Sequence, residues 1–252
     1  MRSLVLNLGN SSVFGGVFEG RRLVSSFKIS SRLGLRTLET ELKRHLPAKV
    51  DHLALCSVVP RLTTPLSRLL RRTYGQEPRI LNAAAQHGLR IGYHDPLRLG
   101  SDRLAAVLGA RSLSPGSNLI IVDCGTATTV TALTSKGLLA GGAILPGLGL
   151  WAEVLAAQTA QLPRLTPVRP RSPLGRSPEE AILSGLFHGH AGAIRELIGL
   201  VAKRAFKSEK FEVYGTGGNA PLFAKEKLFT RQRPFLILTG LMAYAIAPKA
   251  HA

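Results

Sequence analysis

One glycine-centred pattern occurs twice in this chain, at Leu4-Val-Leu-Asn-Leu-Gly-Asn-Ser-Ser-Val13 and at Leu119-Ile-Ile-Val-Asp-Cys-Gly-Thr-Ala-Thr-Thr-Val130. Superposing Asn7 on Asp123 also puts Gly9 on Gly125 and brings the turns Glu19-Gly-Arg-Arg22 and Ser135-Lys-Gly137 to matching places downstream. Each copy reads as an apolar strand, a carboxylate or amide, a glycine turn with small hydroxyls, and a second apolar strand. Such a turn gathers free backbone N–H groups, hydroxyls and one metal-seeking side chain at a point, which suits a nucleotide phosphate. A single hairpin of this kind is commonplace and says little about ligands. Two copies half a chain apart predict two related halves facing each other across a nucleotide cleft.

Length and composition agree with that division. A chain of 252 residues, 45% hydrophobic, buries a sizeable core as one large domain or as two of about 115 to 135 residues. The longest nearly uncharged stretch, Leu138 to Ala152, contains Pro146 and several glycines and is too short for a membrane span. The N-terminus turns polar too early for a signal peptide. Cys56 and Cys124 are the only cysteines, which indicates neither a disulfide framework nor a zinc site and fits a reducing cytoplasm. The net charge of +18 is spread over both halves, with 18 basic and 7 acidic residues up to Pro115. The basic clusters lack the interleaved aromatics of a single-strand binder and any helix-turn-helix or zinc pattern, so nucleic acid is disfavoured as a partner. A surface that attracts anionic substrates accounts for the charge more simply.

The periodicity predicts strands at 4–8, 13–18 and 23–29, a helix at 37–45, a strand at 52–57, a helix at 62–74 and a strand near 79–81. The second half repeats the opening with strands near 119–122, 128–133 and 138–144. Helices follow around 150–155 and 178–200, then a strand at 211–216 and a last helix near 234–246. Three antiparallel strands followed by alternating helix and strand give an α/β fold of two ribonuclease-H-like domains of duplicated topology, with the nucleotide cleft between them. The boundary falls at Ser-Leu-Ser-Pro-Gly-Ser-Asn, residues 112–118, giving an N-terminal domain 1–115 and a C-terminal domain 116–252.

Between the halves lies Leu99-Gly-Ser-Asp-Arg-Leu-Ala-Ala-Val-Leu-Gly-Ala-Arg111, where the apolar face begins a helix at about Ser101 or Asp102. Asp102 there is either a helix N-cap or a general base beside the cleft, with Arg103 holding an anionic substrate. Spacing leaves both readings open.

Several further motifs occur in order: Ser57-Val-Val-Pro60, Tyr93 to Pro96, Gly100-Ser-Asp-Arg103, Gly141-Gly-Ala-Ile-Leu-Pro-Gly147, Thr159-Ala-Gln-Leu-Pro163, Ser184-Gly185 and Thr216-Gly-Gly218. Together with the two turns they make the chain, over nearly its whole length, similar to the type III pantothenate kinases. These belong to the superfamily of acetate and sugar kinases, heat-shock ATPases and actin. The resemblance implies a homodimer that phosphorylates pantothenate with ATP, the first step toward coenzyme A, using Mg2+ with ATP and a monovalent cation, K+ or NH4+. It implies ATP binding by Leu6, Asn7, Leu8, Gly9, Asn10, Ser11, Ser12, Val13 and Thr126, and a pantothenate pocket of Tyr93, Gly100, Ser101, Asp102, Arg103 and Ser177. Asp102 is then the catalytic base and Asp123 the ligand of the monovalent cation, while Gly217 and Gly218 let the backbone approach the nucleotide.

The chain departs from the family pattern at Asn7, where an aspartate that organises magnesium is usual, and at Ser11, Ser101, Cys124 and Ser177. An amide brings no charge to a hard cation, so weaker metal or ATP engagement is expected. Asn7 also keeps open a non-catalytic, ligand-binding dimer of the same fold.

Overall fold

Leu4, Leu6 and Leu8 alternate with Val5 and Asn7, so the first strand must present two different faces. In the computed structural model, which describes residues 1–248, they do. The chain forms two units, one of Met1–Pro115 with the described residues from Leu236 onward, the other of Gly116–Phe235.

In the first unit β1 (Arg2–Leu8), β2 (Ser12–Glu19) and β3 (Arg22–Ser30) are followed by α1 (Leu35–Lys43), β4 (His52–Ser57), α2 (Pro60–Tyr74) and β5 (Arg79–Leu81). After the short β6 (Arg90–Ile91) comes α3 (Ser101–Leu113). The sheet order is β3-β2-β1-β4-β5, with β1, β2 and β3 antiparallel neighbours and β1, β4 and β5 parallel. Leu4, Leu6, Leu8, Leu53 and Leu55 pack with Leu38, Leu42, Leu62 and Leu66 on the α1/α2 side of this sheet. Period two then assigns Val5, Asn7, Ala54 and Cys56 to the opposite face. Helix α2 starts two residues before the expected Leu62, because Pro60 is pre-set for the first helical position. It stops at Gly75, whose φ of 70° closes the last turn.

The second unit runs β7 (Asn118–Cys124), β8 (Ala127–Leu133), β9 (Leu138–Pro146), α4 (Leu148–Gln158), α5 (Pro178–Phe206), β10 (Phe211–Thr216) and β11 (Arg231–Gln232). Its strands follow the order β11-β10-β7-β8-β9, again antiparallel among β7, β8 and β9 and parallel among β7, β10 and β11. The duplicated topology read from the glycine turns is therefore present strand for strand. Helix α5 runs to Phe206 instead of ending at Leu200, because Ala202 and Phe206 extend its buried stripe through the basic run.

The C-terminal helix α6 (Leu236–Ile246) departs from the half-and-half division, since it returns to the first unit. Its sequence is apolar all round, so it needs a covered groove rather than a surface. That groove lies on α3 and on the Val5/Asn7 face of the sheet. A Cβ on Gly240 would stand 1.8 Å from the carbonyl oxygen of Ala105, and one on Gly109 would stand 2.2 Å from that of Leu236. Two glycines thus let the α3 and α6 backbones touch. Arg79 finishes the docking, donating to the carbonyls of Ala245 (3.1 Å) and Ala247 (2.6 Å) at the end of α6 and lying over the Tyr244 ring.

Candidate active site

In the first unit the site is built around the start of α3. Asp95 Oδ1 accepts from the Leu97 N–H (3.1 Å) and begins a tight turn over 96–98 that brings the chain to Gly100. Gly100 is the N-cap, and a Cβ there would meet Asp102 Oδ1 at 2.7 Å, so its glycine identity leaves room for the carboxylate. Asp102 is accordingly not the cap but a residue of the first turn. Its Oδ1 accepts the Arg103 N–H at 2.7 Å.

Ser101, 6% exposed, fastens this helix start to the end of β4. Its hydroxyl donates to the Ser57 carbonyl (2.9 Å) and accepts from the Ser57 N–H (3.0 Å). Arg103 is buried to 8% exposure; its guanidinium donates to the Tyr93 hydroxyl and lies against the Tyr93 ring. Tyr93, Gly100, Ser101, Asp102 and Arg103 are thus brought together as expected. A cavity of about 430 Å³ opens beside them, lined by Ser57, Asn82, Leu97, Leu99, Gly100 and Ser101 among others. Burial raises the Asp102 pKa above the usual carboxylate range, while the Arg103 N–H and guanidinium pull it back. The arrangement is a carboxylate, half out of water, next to a fixed cation and a small cavity.

The first glycine turn occupies Gly9–Ser11 between β1 and β2, closed by Gly9 N–H donating to the Ser12 carbonyl at 2.9 Å. Asn10 is exposed and Ser11 and Ser12 are half-buried. Leu6, Leu8 and Val13 differ from expectation: their side chains are fully buried in the α1/α2 core, and only their main chain is left for a nucleotide. Asn7 Oδ1 is taken by the thiol of Cys56, which donates at 3.3 Å. Sequence reading treated Cys56 only as a reduced thiol and missed this pairing. The signal was the parallel register Asn7↔Cys56, which no local pattern contains.

In the second unit Asp123 holds the same place in β7 that Asn7 holds in β1, one residue before the strand end. The turn here is shorter, Gly125–Thr126, with Gly125 N–H donating to the Ala127 carbonyl at 3.2 Å. Thr126 is exposed and its carbonyl accepts from Gly147 N–H. Gly217, at φ 87°, lies against Asp123: a Cβ would stand 2.3 Å from Oδ1. Among the described residues no cluster of three or more His, Cys, Asp or Glu is placed to hold a metal. Ser177 caps α5, its hydroxyl accepting from Glu180 N–H at 3.2 Å, so the structure accounts for it locally.

Comparison with known proteins follows this geometry. Residues 3–199 match the family model described as type III pantothenate kinase. A type III pantothenate kinase of Legionella pneumophila (strain Corby) is 36% identical over 96% of this chain and 98% of its own. The type III pantothenate kinase 1 of Francisella tularensis subsp. holarctica (strain OSU18) is 36% identical over 94% of this chain and 95% of its own. Among solved structures, the activator of the 2-hydroxyisocaproyl-CoA dehydratase from Clostridium difficile with bound ADPNP superposes with a TM-score of 0.52. It is 15% identical and covers 97% of this chain and 94% of its own, a likeness of fold alone.

Proposed function

The chain belongs to the type III pantothenate kinase family, and we infer from this that it transfers the terminal phosphate of ATP to pantothenate, the first step toward coenzyme A. The observation that carries this reading is the pair Asp102–Arg103 held in the first turn of α3, directly after Gly100 and Ser101, which line the cavity. Asp102 takes the proton from the primary hydroxyl of pantothenate as that oxygen attacks. Burial raises its pKa above the usual carboxylate range, which strengthens its pull on the proton when it is ionised. Arg103, fixed by Tyr93, is placed to hold the carboxylate of pantothenate. Phosphoryl transfer asks mainly for positioning and charge neutralisation, and these residues supply both on the acceptor side.

The two glycine turns are the parts suited to ATP, with main-chain N–H groups and the side chains of Asn10, Ser11, Ser12 and Thr126 available to phosphate. Asp123 would hold K+ or NH4+ with turn carbonyls, neutralising charge near the phosphates. The exposed apolar residues Ile144, Leu150 and Val154 on β9 and α4 support a homodimer, since Ile144 alone is 63% exposed. No helix among the described residues is long and apolar enough to cross a membrane. The Asp102–Arg103 pair argues for catalysis over the non-catalytic, ligand-binding dimer.

The test is an assay with purified protein, pantothenate and ATP-Mg2+ in matched K+, NH4+ and Na+ buffers. Phosphopantothenate should form, faster with K+ or NH4+ than with Na+. No product under any of these conditions would return the chain to the binding-dimer reading.

A further inference from the structure

The opening turn does not fit the divalent-ion arrangement that a carboxylate at position 7 would give, and the reason is structural as well as compositional. Asn7 and Cys56 sit side by side on β1 and β4, on the sheet face covered by α3 and α6. Cys56 is fully buried, and its sulfur donates to Asn7 Oδ1 at 3.3 Å. A thiol is a weak donor; burial keeps water from it, and Ser101 and Asp102 are the other polar groups near its sulfur. Ser101 also spends its hydroxyl on both the N–H and the carbonyl of Ser57, which holds the end of β4 in place under α3. The Asn7 carbonyl oxygen is therefore directed inward. The amide is planar, so its NH2 group points the other way. Among the described residues no hydrogen bond to that nitrogen is found, and it is not one of the fully buried unpartnered atoms.

We propose that Cys56 is a positioning residue that fixes the Asn7 amide with its carbonyl inward and its NH2 outward, so that the opening turn binds a nucleotide phosphate directly as a hydrogen-bond donor. The usual carboxylate is acceptor-only when ionised and meets phosphate only through a metal or its water. A neutral amide donor needs no such intermediary. Nucleotide binding at this turn then tolerates the loss of divalent ion, although phosphoryl transfer itself still uses ATP-Mg2+. The proposal rests on the reading of the turn as the ATP site, but not on any turnover.

Calorimetric titration with the non-hydrolysable analogue ADPNP, in Mg2+ and in EDTA, separates the possibilities. The wild-type protein should bind in both buffers, with affinities within about fivefold of each other. Asn7→Asp should lose at least tenfold in EDTA and recover in Mg2+. Cys56→Ala should weaken EDTA binding severalfold, and Cys56→Ser, which restores a donor to Oδ1, should recover it. Wild-type binding that vanishes in EDTA overturns the proposal, as does a Cys56→Ser variant no better than Cys56→Ala. Should Cys56→Ala fail to fold, the Asn7 side-chain NH2 resonances of the wild-type protein decide. They shift on adding ADPNP in EDTA if the amide meets phosphate and stay still if it does not. Failure of the kinase reading shows separately, as nucleotide binding without phosphopantothenate.

Discussion

Asp102 combines two demands that oppose each other, ionisation and burial. Burial raises its pKa in the folded protein, so the folded state takes up this proton more readily than the unfolded chain. The stabilisation from the neutral carboxyl is complete below the unfolded value and lost as pH rises through the folded one. Once ionised, the buried carboxylate thus costs stability. Asp102→Asn should leave the melting temperature unchanged or raise it. The charge of Arg103 keeps Asp102 from rising further, so Arg103→Gln should move the acid limb of kcat/KM to higher pH and raise the KM for pantothenate, measurable in one pH series. The pair was legible in the sequence because adjacent residues at a helix start need no long-range knowledge. Of the two readings that the sequence left open, the cap is ruled out by Gly100, which takes that position. Cys56 stayed hidden because its meaning comes from a partner 49 residues away across a parallel pair of strands.

Helix α3 carries Asp102 and Arg103 at one end and a glycine crossing along its length. Gly240 and Gly109 bring α6 to backbone contact, and neither has space for a methyl group. Gly240→Ala should force the helices apart and destabilise the protein by about 1–3 kcal/mol, seen as a lowered denaturation midpoint. Activity should fall with it, because Ser101 and Asp102 ride on the displaced helix. An unchanged midpoint would mean that α6 is not docked this way. The strands and most helices were readable from apolar period and turn chemistry, and the strands at His52–Ser57 and Phe211–Thr216 lie where expected. The home of α6 was not, since an all-apolar helix announces burial without naming the surface that buries it. Leu6, Leu8 and Val13 were assigned to ATP as members of the turn motif, and alternation along β1 and β2 points their side chains to a core.

The strands β3-β2-β1-β4-β5 and β9-β8-β7-β10-β11 share one order and one pattern of directions, which is why a repeat of a few residues around Gly9 and Gly125 was enough to read the architecture. The duplicated turns have since diverged: one carries an amide locked to a thiol, the other a carboxylate backed by a glycine. Stability across pH is governed partly by His190 in the second unit, which is 0% exposed, stacked on Phe223 and bonded through Nε2 to Thr128 at 2.9 Å. Its Nδ1 is buried without a partner, and burial lowers its pKa from 6.5 to about 4. The unfolded chain gains this proton first, so stability is full above about 6.5 and drains away as pH falls toward about 4. The loss is on the order of 3 kcal/mol over that window, and His190→Phe should flatten it in melting curves. The measurement closest to the function itself is turnover of Asp102→Asn against wild type, with pantothenate, ATP-Mg2+ and K+ saturating and melting followed on the same samples. The predicted result is phosphopantothenate production reduced about a hundredfold to ten-thousandfold with an undiminished melting temperature. A variant that melts early yet turns over normally per folded molecule would contradict Asp102 as the base.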